Sequence, residues 1–117
     1  MAICRYWRGW TTLQNADAYQ DAILNIIIPS IESRNIKGFN RIDLMRRDAG
    51  DEVEFSTLMW FESIASIKEF VGEDYEVANI PPEAKAVLKR WDRRTIHYEV
   101  IDERPQSEVC QDNRRRN

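Results

Sequence analysis

The chain has 117 residues, the size of one domain with a modest core. Its 43% hydrophobic and 32% charged residues fit a folded globular chain and exclude a disordered one. A net charge of -3 excludes a general pull towards nucleic acid or anionic membrane, and no apolar run approaches the roughly 20 residues that cross a bilayer.

The opening MAICRYWRGW carries Arg5 and Arg8 inside its apolar stretch, which argues against a signal peptide and for a strand from Ile3 to Trp10. Asn15 is the expected N-cap of a first helix, with Asp17 in the first turn where the helix dipole favours negative charge. Tyr19, Ile23, Ile26, Ile27 and Ile31 then recur at helical spacing as one apolar face. Pro29 falls inside that pattern and lacks a backbone donor, so a kink or break is expected there. Ile42 and Leu44 alternate with Arg41, Asp43 and Met45 as in a half-buried strand, and RDAGDE reads as a hairpin turn.

EVEFSTLMWFES is the strongest strand of the chain. Val53, Phe55, Thr57, Met59 and Phe61 share one face, and Leu58 and Trp60 the other, so both faces are expected to be covered. Ser63 can cap a helix bearing Ile64, Ile67, Phe70 and Val71, which Gly72 is placed to end. NIPPEAKAVLKRW suggests another, with Pro82 in the first turn and Ala84, Val87, Leu88 and Trp91 as a core stripe. A strand from Thr95 to Asp102 closes a domain assigned to residues 1–104, and residues 105–117 form a polar tail expected to be disordered.

The order β-α-β-β-α-(α)-β implies an α+β fold: a ferredoxin-like antiparallel sheet with helices on one face. The second face is also too aromatic for water, and a second copy packed sheet to sheet as a homodimer is the expected cover. Cys4 and Cys110 are far apart, so no disulfide framework is expected and a reducing cytoplasm is the expected location. One histidine and two isolated cysteines leave a structural zinc site short of ligands.

YWRGWTT, the helix beginning NADAYQ, VEFSTLMWFES and the closing HYEV together resemble the antibiotic biosynthesis monooxygenase family of the dimeric α+β barrel superfamily, over about residues 2–103. The resemblance implies a pocket in each protomer between sheet and helices. The superfamily includes cofactor-independent oxygenases of polyketide phenols, quinol oxygenases and haem-degrading enzymes. The haem-degrading branch uses an asparagine, a tryptophan and a helical histidine. Here those positions fall on Trp7, near Phe70 and within NIPPE, and none of the three residue types is retained. The resemblance therefore implies oxidation of a small aromatic or quinol without a cofactor. The alternative is a non-catalytic small-ligand or stress-response dimer, and an isomerase or lyase would need the same acid–base groups without oxygen.

Cofactor-free oxygenation asks for an apolar pocket, a base for a phenolic proton and a donor for the resulting anion. The candidates are Trp7, Trp60 and Tyr98 for binding, with Trp10 as a further stacking ring, Arg5 or Arg41 as anion partner, and His97 as base. His97, the only histidine, is near neutrality when unperturbed. Alternation puts it with Thr95, Glu99 and Ile101, opposite Ile96, Tyr98 and Val100, so the face taken by the helices decides whether it can serve a pocket. Arg5 and Arg8 lie on opposite faces of the first strand. Whichever is buried needs a carboxylate or carbonyls, with Glu54, Glu62 or Glu99 as possible carboxylates. Asp43 is a further possible acid or base, Cys4 reads as a small buried hydrophobe, and Arg114 to Arg116 form too weak a basic patch for nucleic acid.

Overall fold

A computed structural model describes residues 2–106, so the readings made for Cys110 and for Arg114 to Arg116 lie outside the described residues. The chain forms β1 (Ile3–Thr12), α1 (Ala16–Ala22), a π-helical stretch (Ile23–Ile27) and α2 (Ile28–Ser33). It continues through β2 (Phe39–Ala49), β3 (Glu52–Phe61), α3 (Ile64–Val71), α4 (Pro82–Lys85), β4 (Arg90–Trp91) and β5 (Ile96–Glu99). The strands make one antiparallel sheet in the order β2-β3-β1-β4, with β5 following β4 along the same edge of β1. This is the ferredoxin-like α+β layout with its last strand in two pieces.

The period of two along each strand sorts side chains cleanly. Ile3, Arg5, Trp7, Gly9 and Thr11 of β1 lie beside Phe61, Met59, Thr57, Phe55 and Val53 of β3, beneath the helices. The core there has two parts. Tyr19, Ile23, Val53, Phe55, Ala84 and Leu88 pack at one end, and Ile3, Met59, Phe61 and Ile67 at the other. On the opposite face lie Cys4, Tyr6, Arg8 and Trp10 with Trp60, Leu58, Ser56 and Glu54. Exposed Ile96 and Tyr98 extend that face across β5.

Two local expectations need correction, and a third takes a particular form. Asn15 flanks α1 but makes no side-chain cap; its own N–H donates to Thr12 Oγ1 at 3.2 Å. The irregularity expected near Pro29 is a π-helical interruption just before it. The turn before it widens, with the Ile28 N–H reaching back five residues to Ile23 O, so Pro29 enters at the start of α2 without a ring clash on the carbonyl four residues earlier. The extra residue in that turn leaves Ile26 half exposed and brings Ile27 and Ile28 to the core instead.

The second correction concerns the chain after Pro82. The helix stops at Lys85, because the Lys89 N–H finds the β1 carbonyl of Trp10 at 2.8 Å and the chain joins the sheet. Ala84, Val87, Leu88 and Trp91 are core residues all the same. Between β4 and β5 the chain leaves β1 and pairs with the loop over residues 76–78: Ala78 N–H to Arg93 O at 3.1 Å and Thr95 N–H to Glu76 O at 2.6 Å. That detour lays the loop against the inner sheet face and builds one wall of the site.

Candidate functional site

Between the inner sheet face and the helices lies a cavity of about 110 Å³. Arg5, Trp7, Thr57, Met59 and Ile42 rise from the sheet; Tyr19, Ile23, Ile27, Ile28 and Ile31 descend from the long helical segment. Phe70 and the loop residues Asn79, Ile80 and Pro81 close the sides. An engineered apolar cavity of about 150 Å³ takes benzene, so this space is at the scale of a single ring. Its walls are overwhelmingly aliphatic and aromatic.

Arg5 is the charged group in those walls. It is 5% exposed, and no ion pair among the described residues includes it. Backbone carbonyls hold it in place of the expected Glu54, Glu62 or Glu99. Nη1 donates to Tyr75 O and Nη2 to Val77 O at 3.3 Å, both from the loop that crosses beside β5. Burial without a counter-charge lowers its pKa to about 10. Its ring neighbour Phe70, 6.0 Å from the guanidinium carbon, carries Arg34 at 5.0 Å.

The helices cover the His97 side of β5, so the imidazole points towards the interior. It stands behind Arg5, not on the cavity wall. Nε2 lies 3.1 Å from Arg5 Nη1 and Nδ1 is buried with no partner. The ring meets Tyr75 edge-on at 5.0 Å. A guanidinium only donates, so Nε2 accepts and the imidazole is neutral with its proton on Nδ1. Burial first, and Arg5 second, push its pKa below 6.5, against a weaker upward pull from Glu76.

Trp7 lines the cavity with its ring, its indole N–H being given to Asp92 O at 2.7 Å. Gly9 makes room for it: a Cβ at Gly9 would sit 2.9 Å from both Trp7 Cη2 and Leu88 Cδ2. Trp60 and Tyr98 do not reach the cavity. Both sit on the opposite sheet face, as odd and even positions of a strand must separate. Trp60 donates its N–H to Asp43 at 3.0 Å and is stacked by Arg41 at 5.5 Å. Asp43, held below the usual carboxylate range by Arg41 and then Trp60, is thereby spent on structure.

Arg8 belongs to that outer face too, paired with Asp92 at 3.0 Å and lying 5.1 Å above Trp10. Cys4 is a buried free thiol, its pKa raised by burial and then by Asp43. The predicted set therefore divides. Arg5 and Trp7 meet at the cavity, His97 stands one shell behind, and Trp60 and Tyr98 are elsewhere.

Sequence reasoning missed Thr57 and Tyr19 as cavity residues, and missed the carbonyls of Tyr75 and Val77 altogether. Thr57 was visible as a polar interruption of an apolar strand face. The carbonyls had no local signal, since any residue could supply them. Among the described residues no group of acidic, histidine or cysteine side chains could hold a metal ion, and no helix is long and apolar enough to cross a membrane.

No family model and no curated protein matches the sequence. Solved structures do match the fold. The chain is similar to SnoaB, a cofactor-independent oxygenase from Streptomyces nogalater, at TM-score 0.60 and 11% identity over 90% of this chain and 98% of that one. It is similar to Rv0793 from Mycobacterium tuberculosis at TM-score 0.57 and 16% identity, over 88% and 98% of the two chains. A Bacillus cereus protein described as a candidate antibiotic biosynthesis monooxygenase gives TM-score 0.56 and 12% identity, over 90% and 98%. The fold is that of antibiotic biosynthesis monooxygenase proteins, the one its sequence motifs resemble.

Proposed function

We propose that the cavity is a substrate site for a small aromatic molecule or quinol, oxidised by dioxygen without a cofactor. The observation that carries this reading is a ring-sized apolar space with one buried cation, Arg5, in its wall. A buried guanidinium without a counter-charge favours the ionised form of a phenol, and the electron-rich anion is the species that reacts with dioxygen. In oxygenation, one oxygen atom becomes a second carbonyl as the phenol goes to a quinone, and the other leaves as water with the ring and phenolic hydrogens, so the substrate supplies all four electrons. In simple quinol oxidation, two electrons and two protons pass to dioxygen and give hydrogen peroxide. Trp7 supplies a stacking surface in this scheme. His97 acts through Arg5, because Nε2 is already engaged and the ring is off the wall.

The experiment is dioxygen uptake with methylhydroquinone. The protein should exceed the spontaneous rate, and Arg5→Met should remove most of that excess. Uptake no faster than the spontaneous rate overturns the catalytic reading.

A second reading, a binding protein without turnover, is favoured by one observation: no carboxylate or imidazole stands among the cavity-lining residues. It calls for ligand-dependent thermal stabilisation with no dioxygen uptake. In either reading, the outer sheet face with Tyr6, Leu58, Ile96 and Tyr98 is the proposed contact with a second copy of the chain. The cytoplasm is the proposed compartment, in keeping with the free thiol of Cys4.

A further inference from the structure

A guanidinium has five N–H donors. In Arg5, Nη1 spends both of its own on Tyr75 O and His97 Nε2, and Nη2 spends one on Val77 O. The Nε–H and one Nη2 hydrogen are left without a partner among the described residues. These are two donors on a buried cation in the wall of an apolar cavity. The complement of two N–H groups from one guanidinium is a carboxylate, which is a full anion at neutral pH and accepts in a bidentate way. Beside Arg5 on the floor, Thr57 stands diagonally across β3 and offers a hydroxyl within the same cavity.

We propose that the cavity binds a single-ring, hydroxylated carboxylate, whose carboxylate takes the two unassigned N–H groups of Arg5, and that His97 is the positioning residue that fixes the guanidinium. The proposal rests on the reading of this cavity as the substrate site, and narrows it to one chemical class. The ring lies among Trp7, Ile23, Ile27 and Ile42, and the anion supplies the counter-charge that the fold leaves out. His97 contributes by accepting from Nη1 at 3.1 Å, which fixes the plane of the guanidinium. The groups that act on the imidazole are Arg5 and the Tyr75 ring in contact with it, and the charge of Glu76.

The test is a calorimetric titration with 4-hydroxybenzoate and with its neutral counterpart 4-hydroxybenzamide. The acid should bind about tenfold or more tightly than the amide, as expected for paired hydrogen bonds to an ion. Arg5→Met should abolish the preference, bringing acid and amide to the same affinity. His97→Leu should lower the acid-over-amide ratio about fivefold, and His97→Gln, which keeps an acceptor, should restore it. The comparison of acid and amide on the unmodified protein decides the ligand class even where a variant fails to fold. Equal affinity for the two overturns the anion assignment while the cavity stands as a ligand site. Binding of neither overturns the assignment and the substrate-site reading together. An acid preference that His97→Leu leaves intact overturns the role given to His97.

Discussion

Arg5 and His97 are direct cross-strand partners on β1 and β5, and their side chains meet end to end, Nη1 to Nε2, at 3.1 Å beneath the loop that carries Tyr75 and Val77. An arginine and a histidine stay in contact only while the imidazole is neutral, so the pair ties the inner face of the sheet to pH.

The folded-state pKa of His97 lies below 6.5, the value the unfolded chain takes, because burial and Arg5 disfavour the charged ring. Below 6.5 the unfolded chain binds the extra proton more readily, so the stability associated with neutral His97 is complete above that pH and declines as the pH falls beneath it. Urea midpoints measured between pH 8 and pH 5 should drop in the acidic half of the range. In His97→Gln that part of the drop should vanish. An identical pH profile in the variant would show that the imidazole is not the linked group.

Trp7 joins the sheet to the detour between β4 and β5 through its N–H to Asp92 O at 2.7 Å. Trp7→Phe keeps a ring against the cavity but leaves that carbonyl without its indole donor. A loss of about 1–2 kcal/mol in equilibrium unfolding is expected. A change below a few tenths of a kcal/mol would mean that another donor takes its place.

Phe55 is fully buried, edge-on to Tyr19 with ring centroids 4.8 Å apart, and so fastens α1 to the sheet. Phe55→Ala should cost about 3–5 kcal/mol by denaturant titration, the range for removing a packed phenylalanine. A cost near 1 kcal/mol would indicate that α1 and the π-helical stretch collapse into the space.

Tyr98 is 55% exposed on the outer sheet face and Ile96 44%. If two copies pack through that face, sedimentation should give roughly twice 13.9 kDa, and Tyr98→Arg should shift the protein to the single-chain mass with its far-ultraviolet dichroism unchanged. A single-chain mass for the unmodified protein would remove this face as a contact between copies.

The strands were the most legible part of the chain. Alternation in EVEFSTLMWFES separates Phe55 and Met59 from Leu58 and Trp60 with no knowledge of partners, and the sheet keeps that separation. Helix extent was less legible, because it depends on what the chain could pair with instead. The stripe through Trp91 has helical spacing, yet the sheet edge offers Lys89 a carbonyl and wins. The site was legible only in residue types. Arg5 and Trp7 share a strand face by parity, but Trp60 and Tyr98 could be placed in the same pocket only while it was unknown which face the helices covered. Tertiary pairing, with its loop carbonyls, settles that question, and composition does not carry it.

The widened turn over Ile23–Ile27 has a consequence for how this chain tolerates change in length. Each residue of an α-helix advances the side-chain direction by about 100°. Deleting one residue from that turn would restore a regular helix yet leave every later side chain facing nearly as before, because the wide turn already absorbs the extra residue's angle. Ile28 and Ile31 would keep to the cavity roof, but the carbonyl four places before Pro29 would return to the path of its ring. A single-codon loss there, silent in composition and nearly so in hydropathy, should therefore put its strain on Pro29 and not on the facing of the cavity isoleucines.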